Sequence, residues 1–256
     1  MPSLPLRAGL HAFRARFWRG FLLHEQRCAA CLAPFAPVSA DDAFFFCPAC
    51  RRNLPRRVAG YCPLCGEPGA LLSHPVPCAA CLRDAPPWEA FRFYGIHEGL
   101  LRQLILRVKY SSDVPLARAL GELMFPVCRE LPACDALVPM PQHPARLRRR
   151  GCNQCQEIAR PLARMLDLPL MPQYLLRILL ARPQTQLRRR ERRADLSASF
   201  AADPAVRGKR ILLLDDTMTT GTSLRYGVRC LLQAGATAVC VAVVARTTLH
   251  ERVEWA

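Results

Sequence analysis

The sequence predicts an α/β protein in which a parallel-sheet domain follows a small cysteine-rich zinc-binding module. Three observations carry that expectation. Ile211 to Leu214 is an unbroken apolar run, as suits a central parallel strand buried on both faces. Strand-like runs alternate with helical periodicity from Phe91 onward, the order of a parallel sheet with right-handed crossovers. Ahead of them stand four Cys-x-x-Cys pairs: Cys28/Cys31, Cys47/Cys50, Cys62/Cys65 and Cys78/Cys81.

The chain has 256 residues, 51% of them hydrophobic, enough for one sizeable core plus a smaller module. Thirty-six basic side chains against 20 acidic ones leave a net charge of +16. A surplus of this size favours polyanionic partners: phosphorylated metabolites, nucleic acid or anionic membrane. No run reaches the length of a transmembrane segment. Residues 1–24 are basic and partly apolar (Leu10, Phe13, Phe17, Trp18, Phe21, Leu22), with arginines where a secretory signal needs a continuous apolar core. They read as a short amphipathic helix packed on the rest, with a membrane-surface helix as the alternative. Fourteen cysteines without an export signal point to metal thiolates in a reducing cytoplasm rather than to disulfides.

The cysteine pairs occupy a module spanning residues 25–84. Two thiolates two residues apart chelate one ion from a tight turn, and two such turns complete a tetrahedral site. Four pairs make two zinc sites, each with four thiolates and no open position, hence structural rather than catalytic. Sequential sites (Cys28, Cys31, Cys47, Cys50, then Cys62, Cys65, Cys78, Cys81) are favoured over an interleaved cross-brace, because Arg51–Gly60 reads as a link between two small units. Gly66 suits the sharp turn of a zinc knuckle, and His74 reads as a loop histidine. Asp84-Ala-Pro-Pro-Trp88 reads as the hinge out of the module, since proline stops regular structure and stiffens a link.

Residues 90–256 carry the sheet domain. Phe91–Ile96 reads as a strand, and Leu100, Leu101, Leu104, Ile105 and Val108 place a helix over His97–Tyr110. A second helix spans about Val114 to Leu131, with Pro115 in its first turn. Asp135–Pro141 reads as a strand that proline ends. Asn153 caps a helix whose buried stripe is Ile158, Leu162, Met165 and Leu166. Leu168–Ile178 contains a strand, Arg182–Arg193 is a very basic loop, and Phe200 returns to the core. Ile211–Leu214 is central, and Ala238–Ala245 is a buried strand after the Gly235 helix stop.

The central strand is read as ending in Asp215 and Asp216, followed by Thr217-Met-Thr-Thr-Gly-Thr222 and a helix patterned by Leu224, Val228, Leu231 and Leu232. A loop entering a helix presents unpaired N–H groups at the positive end of its dipole, a ready phosphate site. Two carboxylates at the strand tip suit a pair of ribose hydroxyls. The loop therefore fits a ribose 5-phosphate. Without the rest of the string, Asp-Asp before a Thr/Ser helix cap would be an ordinary acidic turn.

The full string resembles the phosphoribosyl pyrophosphate (PRPP) loop of type I phosphoribosyltransferases. With it come Lys109-Tyr110, Val138-Pro-Met-Pro-Gln-His143, Arg150-Gly-Cys-Asn-Gln154, Gln184 and Leu187 with Arg192, Phe200 and the paired cysteines. As an ordered set these resemble the ComF/GntX family of competence and DNA-utilisation proteins. The resemblance implies a type I phosphoribosyltransferase-like domain behind a zinc module, PRPP bound with Mg2+, and a part in DNA uptake or nucleotide metabolism. It assigns Asp215 and Asp216 to the ribose, and the catalytic role, if any, to the same pair. Thr217, Met218, Thr219, Thr220, Gly221 and Thr222 complete the PRPP loop. Arginine forks suit pyrophosphate or nucleic acid: Arg146, Arg150, Arg188, Arg189, Arg190 and Arg192, with His143 beside them. The acceptor is not implied. Three positions depart from the family pattern: Cys152 for Phe, Asp195 for Asn, and Thr217 for Val or Ile. Cys152 and Cys155 form a further Cys-x-x-Cys, read as small apolar residues rather than a redox or metal pair. The rival reading is a non-catalytic single-stranded DNA-binding protein, or a partner of the uptake machinery, that uses the loop as a phosphate grip or PRPP sensor. Its arginine clusters lack interleaved aromatics for base stacking.

Overall fold

The computed structural model describes residues 26–36, 45–57, 59–69, 76–111, 113–178 and 199–248. The expected amphipathic segment 1–24, His74, Gln184, Leu187, Asp195 and the basic loop Arg182–Arg193 lie outside them. The chain divides into two compact units, Met1–Asn53 and Leu54–Ala256.

In the smaller unit, β1 (Gln26–Arg27) and β2 (Pro34–Phe35) pair antiparallel, and α1 (Pro48–Arg52) follows. Its buried apolar side chains among the described residues are Cys28, Phe46, Cys47 and Cys50. So small a core offers the unit little apolar burial.

The larger unit opens with a second cysteine knuckle that includes α2 (Ala79–Arg83). Then come β3 (Ala90–Ile96), α3 (Gly99–Ser111), α4 (Val114–Cys128), β4 (Ala136–Pro139), α5 (Pro144–Arg150) and α6 (Gln154–Met165). A short antiparallel pair, β5 (Leu175–Arg177) and β6 (Phe200–Ala202), precedes β7 (Arg210–Met218), α7 (Thr222–Gln233) and β8 (Ala238–Arg246). The main sheet has the order β3-β8-β7-β4 and every pairing is parallel. Its two middle strands are the apolar runs, as burial on both faces demands. α7 lays Leu224, Val228 and Leu231 into one cluster with Ile211, Leu213, Val239, Val241 and Val243. α4 packs on β3, and α6 packs on β4 and β7.

Two local expectations, the ends of β7 and α4, are corrected, and one helix is added. β7 does not end with Asp216 but runs two residues further, because β8 continues beside it to the Met218↔Arg246 register. Asp215 and Asp216 therefore lie within the strand, and a carboxylate oxygen of each gathers with the Cys155 thiol within 4.8 Å. The basic stretch after His143 is helical: Pro144 opens α5, His143 Nδ1 accepts the Ala145 N–H at 3.0 Å, and Gly151 stops it at φ 78°. α4 ends at Cys128, short of Leu131.

Candidate functional site

Strand β7 supplies the acids, and the elements beside it supply their partners. Asp216, 6% exposed, accepts from Gln154 Nε2 at 2.9 Å and from Thr217 Oγ1 at 3.0 Å. Lys109 Nζ, near the end of α3, stands 3.8 Å from the same carboxylate. Asp215 is half-buried and accepts from its neighbour's N–H at 2.9 Å and from Cys155 Sγ at 3.3 Å. Burial, and then the Asp216 charge, raise Asp215 to about 7, while the Cys155 bond and Lys109 oppose the rise. Burial and the two carboxylates push the Cys155 thiol well above its usual range, so it stays a thiol and a donor. Near neutrality Asp215 can thus meet a neighbouring hydroxyl either as a carboxylate or as a carboxylic acid.

Beyond Met218 the chain turns through Thr219 and Thr220 to Gly221, which caps α7 in the left-handed region at φ 73°. The left-handed φ is what requires glycine; an added Cβ would also meet Met218 Cε at 2.5 Å and push that flexible side-chain end aside. The helix is capped by this glycine rather than by a Thr or Ser side chain. The hydroxyls of Thr220 and Thr222 lie 2.8 Å apart. The N–H groups of the first helical turn fall outside the helix's own ladder, and that of Thr222 donates to Thr220 Oγ1 at 3.4 Å. Thr220 and Thr222 also line a cavity of about 800 Å³ with Ala80, Arg83, Arg225 and Arg229.

Of the cationic candidates, Arg150 reaches the acids through Gln154, donating to its Oε1 at 3.2 Å, and sits 6.0 Å over the Tyr110 ring. Arg146 is exposed on α5. Desolvation, Arg177 and Arg146 lower the pKa of His143. Arg188, Arg189, Arg190 and Arg192 are outside the described residues. Sequence reasoning left out Lys109 and Gln154 as site residues, although both stood in quoted motifs. It also missed Arg177. The Arg177 Nε is buried without a hydrogen-bond partner among the described residues, and its ring neighbour is Phe200 at 5.5 Å. Burial and Arg146 lower its pKa, and Asp215 raises it. The sequence reads Cys155 as a small apolar residue. It is buried, but its thiol bonds an acid; only a known Asp215 position reveals that.

The thiols gather as Cys28, Cys31, Cys47, Cys50 and as Cys62, Cys65, Cys78, Cys81, each set within 4.8 Å. Sγ pairs stand 3.8 Å apart (Cys31, Cys47) and 3.7 Å apart (Cys65, Cys78). Tetrahedral zinc with Zn–S bonds of about 2.3 Å demands roughly that spacing. Backbone N–H groups of Cys47 and Cys78 point at Cys28 and Cys62 Sγ, each at 3.3 Å, as suits thiolates. Both clusters therefore fit zinc. No described helix is long and apolar enough to cross a membrane.

The phosphoribosyl transferase domain family matches residues 154–255. DNA utilization protein YhgH of Escherichia coli (strain K12) is 32% identical over 209 residues, covering 78% of this chain and 90% of that protein. Competence protein F of Haemophilus influenzae is 28% identical over 222 residues, 79% of this chain and 97% of that one. Competence protein ComFC of Bacillus subtilis (strain 168) is 26% identical over 228 residues, 83% and 91% of the two chains.

Proposed function

From the premise that this chain belongs to the ComF/GntX family of competence and DNA-utilisation proteins, with its phosphoribosyltransferase-type domain, we propose that it binds PRPP or a related phosphorylated ribose at the end of β7. The observation that carries this is the acid pair followed at once by the Gly221 turn and the first turn of α7. Asp215 and Asp216 take the ribose hydroxyls. The amides and hydroxyls from Met218 to Thr222 take the 5-phosphate. Lys109 and Gln154 hold Asp216 in place for the sugar. Arg150 and Arg177 are the nearest forks for a pyrophosphate, whose charge would relieve the crowding of Arg177 against Arg146. Magnesium travels on that pyrophosphate as part of the substrate, and the acids' oxygens suit such a hard cation. Zinc, held by the eight thiols, supplies folding energy and no chemistry.

Phosphoribosyl transfer passes through a sugar cation, so the protein's task is to position the ribose and stabilise charge. In this reading Asp215 and Asp216 take both tasks. Calorimetry with PRPP and magnesium tests the reading. Saturable heat is expected from the unaltered protein and none from Asp215→Asn/Asp216→Asn; equal heats would discard the assignment.

A second reading is favoured by Arg146 and Arg148, both exposed on α5 at the carboxyl end of β4. Together with Arg188–Arg193 they suit the phosphates of single-stranded DNA. The logarithmic salt slope of DNA binding should flatten when Arg188, Arg189, Arg190 and Arg193 are replaced together, and an unchanged slope removes that patch.

A further inference from the structure

Arg246 closes β8 and is only 3% exposed. A guanidinium so deeply placed is costly unless its donors are used. Here they fasten two parts of the larger unit together. Nε donates to the carbonyl of Cys65 at 2.8 Å, and Nη2 pairs with Glu67, both on the second cysteine knuckle. Nη1 donates to the carbonyls of Met218 at 3.1 Å and Thr219 at 2.6 Å, which open the Gly221 turn, and to Thr247. Cys65 is itself one of the four clustered thiols, so Arg246 grips the knuckle at a ligand residue.

Further contacts run the same way. Trp88, 5% exposed, donates its indole N–H to Leu64 O at 2.7 Å. On the other side it lies 3.7 Å from where a Gly221 Cβ would stand. Arg225, in the first half of α7, donates to the carbonyls of Asp84 at 2.8 Å and Ala85 at 3.2 Å, just after α2. α2 carries Cys81, and its Ala80 and Arg83 wall the 800 Å³ cavity opposite Thr220 and Thr222. The knuckle and the turn thus share a buried arginine, a tryptophan and a cavity wall.

We propose that Arg246 is a positioning residue that makes the shape of the Met218–Gly221 turn depend on zinc at Cys62, Cys65, Cys78 and Cys81, so that zinc and sugar phosphate bind this unit cooperatively. The inference rests on the sugar-phosphate reading of the turn. With zinc present, the Cys65 carbonyl is fixed and the guanidinium holds the Met218 and Thr219 carbonyls on the far side of the turn from its amides. Without zinc, the knuckle loses its cross-link, Arg246 loses a fixed anchor, and the turn samples other shapes. Binding linkage is reciprocal, so a sugar phosphate that selects the ordered turn must also tighten zinc.

The test uses the full zinc-loaded chain. Its two zinc equivalents are competed at equilibrium against a colorimetric chelator, with and without saturating PRPP and magnesium. One equivalent is expected to bind on the order of tenfold tighter with PRPP and the other to stay unchanged. In Arg246→Met the zinc content stays at two, the PRPP effect on zinc disappears, and PRPP itself binds on the order of tenfold more weakly. Arg246→Lys keeps the charge without the fork and falls between. PRPP binding that leaves both zinc affinities untouched in the unaltered chain overturns the coupling alone. No PRPP binding by the unaltered chain overturns the site reading and this inference together. Should Arg246→Met fail to fold, the unaltered chain still decides the matter.

Discussion

Asp215 carries the largest electrostatic strain at the site. Its folded pKa of about 7 stands above the ordinary carboxylate value of 3.8. The native chain therefore binds more protons than the unfolded one across that window, and this group's contribution to stability falls as pH rises from about 4 to about 7. Asp215→Asn removes the cost. It should leave stability near unchanged at pH 4 and raise it at pH 8 by about 1–4 kcal/mol, read from urea unfolding at each pH. A variant no more stable than the parent at pH 8 would remove the strain from the account. Such strain fits a residue kept for binding rather than for folding. The two acids and the Thr-Gly turn were legible because they are adjacent in sequence. Lys109, Gln154, Cys155 and Arg177 were not legible as partners, because they come from α3, α6 and β5 and only the fold brings those elements to β7.

At the scale of elements, two glycines decide how closely backbones approach. Gly121 on α4 faces α6, where an added Cβ would overlap the Ile158 carbonyl and lie 2.6 Å from Pro161 Cγ. Gly121→Ala should cost about 1–3 kcal/mol in thermal or urea unfolding, as overpacking does. A stability within a few tenths of a kcal/mol of the parent's would mean that the two helices part freely. Gly221→Ala meets both a left-handed φ and Met218 Cε. It should weaken PRPP binding more than tenfold while costing about 1–2 kcal/mol of stability. Equal PRPP affinity would show that the turn does not shape the phosphate site. Periodicity located nearly every helix and strand of the described sheet domain, since one buried face imposes it. It could not fix where β7 stops: polar Thr217 looks like the start of a loop until β8 is seen running beside it. α5 carries no apolar stripe, so only its Pro144 start and Gly151 stop marked it.

Across the whole molecule, the +16 charge and the eight clustered thiols set what the chain meets. Two zinc equivalents are expected by mass spectrometry of the native protein. Cys28→Ser/Cys31→Ser should leave one, and so should Cys62→Ser/Cys65→Ser; a single equivalent in the parent would refute paired sites. Regular Cys-x-x-Cys spacing made both clusters legible, whereas the fastening of the second one to the Gly221 turn depends on Arg246, nearly two hundred residues from Cys65 in sequence. The central claim is that the Asp215–Thr222 stretch grips a phosphorylated ribose. Its most direct test is a titration of isotopically labelled protein with ribose 5-phosphate, followed by amide chemical shifts. The largest saturable shifts should fall on Thr219 to Leu224 and vanish in Asp215→Asn/Asp216→Asn. Shifts confined to other segments, or none at saturating ligand, would contradict it.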